Sequence, residues 1–184
     1  MRRCYRRTIA ICAIFAILAG AVPNVGVAHA APWAMPRRLR ASAHGATTLD
    51  RLVDEMLQLL NADRADAGVD PLTLNQPLME LATDHSRDMA ARHYFDHTAP
   101  GDSDPFERFA RKGIRYVDAG ENLGQAGGRP LAQEISLINA TMMDEPLDGA
   151  SHHAVIVDPG LHHVGIGICI EPGNTIYLTE DFTN

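Results

Sequence analysis

Cysteine is scarce in this chain of 184 residues: there are three, and Cys4 and Cys12 lie within the first thirty positions. Only Cys169 remains beyond them, so residues 31–184 can form no disulfide among themselves. A core must hold that stretch together, and its length is sufficient for one. Aromatic residues make up 5% and do not interleave with basic ones, which excludes a single-strand nucleic-acid surface of stacking platforms in a positive groove. Net positive charge is lacking as well. The formal charge is −7, and residues 1–30 hold four of the 16 basic residues and none of the 23 acidic ones, leaving −11 on residues 31–184. Such a domain has no electrostatic reason to seek phosphate backbones or anionic lipid surfaces. HExxH, GxSxG, Walker and CxxC signatures are all missing, so no spacing-specific enzyme motif is available. The 46% hydrophobic and 21% charged composition is that of a globular protein.

What is present begins with an address. Arg2, Arg3, Arg6 and Arg7 precede an apolar run from Thr8 to Val22, which Pro23 breaks, and Ala28 and Ala30 are small residues suited to a signal peptidase. The run is shorter than the roughly 20 residues of a membrane-spanning helix. Residues 1–30 are therefore expected to be a secretory signal peptide, cleaved after Ala30, and the protein to be extracellular with no membrane span afterwards. Ordinary export is expected rather than a twin-arginine route through Arg6-Arg7, whose flanking residues match poorly. Residues 31–47 read as a flexible leader and 48–184 as one domain.

Within that domain, Thr47 or Thr48 caps a helix with Leu49, Leu52, Val53, Met56, Leu57, Leu59 and Leu60 at helical spacing, and Gly68 stops it. Asn75 caps a second helix with Pro77 in its first turn. A short helix restarts at Asp104-Pro105 and ends at Gly113; residues 114–128 are Gly-rich and read as irregular; Pro130 to Met143 is a third long helix. One helical turn follows Ser151. Val164 to Ile170 and Thr175 to Phe182 then form a hairpin around Pro172-Gly173-Asn174. Gly165 and Gly167 alternate with Val164, Ile166 and Ile168, which implies a backbone close against one face. Helices followed by an antiparallel hairpin, without internal repeats, predict an α+β fold whose helices cover a sheet.

The residues able to carry chemistry are dispersed: His97 after a helix, Glu121 in Gly-Glu-Asn, Glu145 in Asp-Glu-Pro and His152 in Ser-His-His. Two imidazoles and two carboxylates in one cleft can hold a divalent cation or transfer protons. Spacing alone leaves open whether these four converge or remain solvated loop residues. His85, on the apolar side of its helix, reads as a core histidine, His153 as an exposed neighbour of His152, and one of His162 and His163 as a solvent-facing strand start. Cys169 reads as a small buried hydrophobe, and Asn122 as structural, fixing the loop that presents Glu121.

Taken in order, the blocks 60–68, 72–74, 82–90, Tyr94-Phe95-Asp96-His97-Thr98, Pro105-Phe106-Glu107-Arg108-Phe109, Ala119-Gly120-Glu121-Asn122-Leu123, 152–159, 164–167 and Thr179-Glu180-Asp181-Phe182 resemble the bacterial CAP domain. That superfamily comprises the cysteine-rich secretory proteins, antigen 5 and the pathogenesis-related proteins, SCP-like extracellular proteins among them. The resemblance spans roughly residues 49–184 and implies a three-layer α-β-α sandwich. It further implies an open cleft with two His and two Glu, whose histidines in some members bind zinc or another divalent ion. His97, Glu121 and His152 match that pattern, and Glu145 is the candidate for the second acid. Ser151, His153 and Val155 depart from the usual Gly, Arg and Asn, and Thr141-Met142-Met143 stands where a tryptophan is common. The implied function is a secreted module of the cell envelope or medium, monomeric, binding a small molecule, lipid, envelope component or a divalent metal at His97 and His152. The alternative is a metal-assisted, protease-like hydrolase using the same cleft, with Glu121 or Glu145 handling the proton of a bound water.

Overall fold

The computed structural model describes residues 6–9, 46–101, 103–149 and 151–184. The expected signal peptide lies outside them except for strand β1 (Arg6–Ile9), and the expected leader except for residues 46 and 47. Helix α1 (Thr48–Asp66) starts on a reciprocal cap, in which the Thr47 hydroxyl accepts from Asp50 N and the Asp50 carboxylate accepts from Thr47 N. Leu52, Met56, Leu60 and Arg64 form its buried stripe, the four-residue step that keeps side chains on one helical face. After the two-residue strand β2 (Thr73–Leu74), α2 (Gln76–Arg92) is capped by Asn75 and ends on His93, at φ 54°. Helix α3 (Pro105–Lys112) runs from an Asp104 cap to Gly113, whose φ of 78° suits a residue without a Cβ.

Residues 118–126 are not irregular. Strand β3 (Asp118–Ala126) pairs antiparallel along its length with the C-terminal strand. Glycine is a poor strand former in the abstract, but a Cβ on Gly124 would come within 2.4 Å of Ile138 Cγ2. The missing side chain is what lets helix α4 (Leu131–Met143) lie down on the strand. The single-turn helix α5 (His152–Ile156), capped by Ser151, precedes the hairpin of β4 (His163–Glu171) and β5 (Thr175–Thr183). Gly173 and Asn174 make its turn with φ of 81° and 60°.

The sheet order is β1-β3-β5-β4-β2, with β3, β5 and β4 antiparallel and the two outermost strands parallel to their neighbours. Alternation along the strands sorts side chains between two helical layers. Val164, Ile166, Ile168, Ile176, Leu178 and Phe182 pack in one cluster with residues of α1, α4 and α5. On the other face a Cβ on Gly165 would lie 2.1 Å from the Leu78 carbonyl carbon, and one on Gly167 2.1 Å from that of Ala82. Helix α2 therefore rests directly on the sheet, as the two glycines predict, and the result is an α-β-α sandwich. Cys169 departs from expectation: it is half-buried, beside Met89, Leu123 and Tyr177, because it stands near the hairpin end where α2 covers less of β4.

Candidate binding cleft

β3 decides where the candidate residues go. Glu121 turns toward the α2–α3 face and Asn122 toward the opposite one. Glu121 is fully buried; its carboxylate accepts from His97 Nδ1 at 2.7 Å and from an Arg108 guanidinium N–H. Burial pushes the Glu121 carboxyl up, but the His97 hydrogen bond and the Arg108 charge outweigh it and leave the group below its ordinary range. Arg108 also donates to the carbonyl of His97 at 2.7 Å, tying the segment after α2 to α3. His85 lies behind this group, 3% exposed, with Nε2 3.1 Å from the Asp96 carbonyl.

The second pair approaches from the other layer. Glu145 follows α4 and accepts from both His152 Nδ1, at 2.7 Å, and His152 N, at 2.8 Å. A carboxylate can only accept, so Nδ1 carries the proton and Nε2 presents a lone pair. That Nε2 is buried without a hydrogen-bond partner among the described residues. Burial lowers the His152 pKa, the Glu145 carboxylate opposes the shift, and His97 adds to it. The two imidazoles are thus within electrostatic reach of each other, one from each face of β3. Asn122 is structural, though not in a loop: from within β3 its Nδ2 donates to the His152 carbonyl and to Glu180. His153 is half-buried rather than exposed, its Nδ1 3.1 Å from the Glu145 carbonyl. His162 is exposed, and His163 opens β4 half-buried.

Sequence reasoning missed the acids and cations that support these pairs. Asp181 stands opposite Glu121 in register and is fully buried. Burial and the adjacent Glu121 charge push its carboxyl well up, so of the two Asp181 keeps the proton. Glu180, on the other face, is pushed up to about 8 by burial. Arg64, fully buried, donates to the carbonyls of Asp70, Ile156, Asp158 and Leu161 at 2.7–3.0 Å, and so fastens α1 to the segment after α5. The available signal was two adjacent acids, Glu180-Asp181, inside a strand that otherwise carries no charge. The four-residue step through Leu52, Met56 and Leu60 carries Arg64 onto the buried stripe, whereas nothing local marks Arg108 as inward-facing.

The Cysteine-rich secretory protein family profile, CAP, matches residues 57–182. The curated protein YkwD of Bacillus subtilis, described as uncharacterized, is 33% identical over 120 residues, which are 65% of this chain and 43% of that protein. The chain thus spans less than half the length of that relative. Among solved structures, an outer surface protein of Borrelia burgdorferi superposes with a TM-score of 0.63 at 13% identity, over 75% of this chain and 96% of that one. NaASP2 with Zn2+ superposes with a TM-score of 0.53 at 13% identity, over 75% and 83% of the two chains. The two superpositions show the fold, the first of them to an outer surface protein. Among the described residues no helix is long and apolar enough to cross a membrane. The sandwich, the ordered motifs and the profile agree: this chain belongs to the CAP, or cysteine-rich secretory protein, family.

Proposed function

We propose that this is a secreted binding module, processed after Ala30, whose cleft takes a divalent cation such as zinc through Nε2 of His97 and His152. The observation that carries the reading is the buried Nε2 of His152, unpartnered among the described residues and aimed by a Glu145 that holds Nδ1. Carboxylates behind ligating imidazoles fix the tautomer and raise ligand basicity, and Glu121 and Glu145 suit that role. Imidazole nitrogens suit zinc, and NaASP2, of the same fold, has been crystallised with it. Two histidines are one protein ligand fewer than catalytic zinc usually has. Among the described residues no group of three or more His, Cys, Asp or Glu is arranged to hold a metal. Water or a bound ligand would complete the coordination. Both carboxylates already accept hydrogen bonds from their histidines, and Glu121 from Arg108 as well. That favours holding a ligand over activating a water for hydrolysis.

Zinc should raise the melting temperature in proportion to RT ln(1 + [L]/Kd), and His97→Ala/His152→Ala should abolish the gain. The gain should fade as pH drops and the imidazoles protonate, for His152 below the ordinary histidine range because burial lowers its pKa. His163→Ala should leave it intact. Loss of the gain in His163→Ala with retention in the double variant would move the metal to the surface and refute the reading.

A further inference from the structure

Beside the His–Glu pairs the cleft continues as a groove of about 350 Å3 between β3 and α4. One wall is five consecutive residues, 123–126 of β3 and Gly127 after it; Leu137, Ile138 and Met142 line it from α4, and His152 and Glu145 close one end. A wall of consecutive residues exposes main chain as well as side chains. β1 covers the outer edge of β3 only from Asp118 to Glu121, and residues 122–126 have no strand partner on that edge among the described residues. In an antiparallel edge strand, alternate residues direct their N–H and C=O groups outward, where they can pair with an added strand.

Three observations narrow the occupant. The edge already holds an extended segment, since β1 pairs with it in parallel from Arg6 opposite Asp118 to Ile9 opposite Glu121. His152 Nε2 offers a buried lone pair at the groove's end, which calls for a donor such as an amide N–H. A carboxylate head there would face both that lone pair and Glu145. Among the described residues no Phe, Tyr or Trp lines the groove, so it has no stacking platform for a sugar ring, whereas its apolar residues suit small aliphatic side chains.

We infer that this groove docks an extended polypeptide segment, which adds to the outer edge of β3 in line with β1, where no described strand covers residues 122–126, and lays apolar side chains against Ile138 and Met142. Main-chain pairing would supply the affinity and the groove the selectivity. The charge of −11 on residues 31–184 favours a neutral or basic segment over an acidic one. The inference goes beyond the binding reading and needs no metal; a cation on His152 Nε2 would compete with the peptide amide for the one lone pair there.

The probe is a synthetic peptide of residues 6–14 of this chain, with Cys12→Ser, added to the purified protein as its host processes it. Saturable binding is expected, with slowed amide exchange at residues 122–126, persisting in chelator and unaffected by His163→Ala. A peptide N-methylated at alternate residues should bind about tenfold more weakly or worse. Leu137→Trp, which fills the groove from a half-buried position, should weaken binding to the same degree; its unchanged circular dichroism would exclude misfolding. Absence of saturation up to about 1 mM, or equal binding of the N-methylated peptide, would overturn the inference. Binding that vanishes in chelator would overturn it in favour of metal capture, whereas failure of zinc stabilisation alone would leave it standing.

Discussion

At the scale of single residues, the buried polar groups carry the sharpest consequences. Arg64 satisfies four carbonyl oxygens with one guanidinium, and losing a multiply bonded buried donor strands its acceptors. Arg64→Met should cost about 3–5 kcal/mol in urea denaturation, and Arg64→Lys should recover little, since an ammonium lacks the planar fork. Glu180 gives the opposite kind of test. Its folded pKa of about 8 lies above its ordinary 4.5, so the folded state binds more protons between those values. Its contribution is complete below about 4.5 and is lost as pH rises through about 8. Glu180→Gln keeps the shape and removes the charge, so its melting temperature should exceed the parent's at pH 9 and approach it at pH 5. A parallel loss of stability in both proteins across that range would exclude Glu180 as the cause. None of these partners was legible locally. The helical step puts Arg64 on the buried stripe, but the carbonyls it meets there include three that lie more than ninety positions along the chain.

At the scale of elements, contact between α2 and β4 is set by the absence of two side chains. Gly165→Ala would place a methyl within 2.1 Å of backbone, where no side chain can swing aside. It should cost about 3 kcal/mol or more, while Gly149→Ala, with open space around it, should cost under about 0.5 kcal/mol. Equal melting temperatures for the two variants would refute the close packing. Caps, stops and the hairpin were legible because they are local: Thr47, Asn75 and Asp104 accept from N–H groups three residues on. β3 reads as a loop from its sequence for the converse reason. Its glycines weaken the local strand signal, and only the pairing with β5 and the weight of α4 give the segment its conformation.

At the scale of the whole molecule, export is the open test. Protein recovered from the culture medium should begin at or near Ala31 by terminal sequencing, because Ala28 and Ala30 follow the apolar run. Intact Met1 on that protein would refute processing and would keep β1 attached beside the groove. The sequence by itself determined the helices, their caps, the hairpin, the close approach at Gly165 and Gly167, and the ordered motifs that carry the CAP resemblance. Each of these depends on neighbours within a few residues or on a repeating period. The tertiary structure alone decided that Glu121 meets His97 and Arg108, that Glu145 meets His152, and that one pair approaches β3 from each face. It also placed Asp181 opposite Glu121. Those partners are brought together by strand register and by two helical layers closing on one sheet, and residue spacing carries no information about which distant side chains share a buried site.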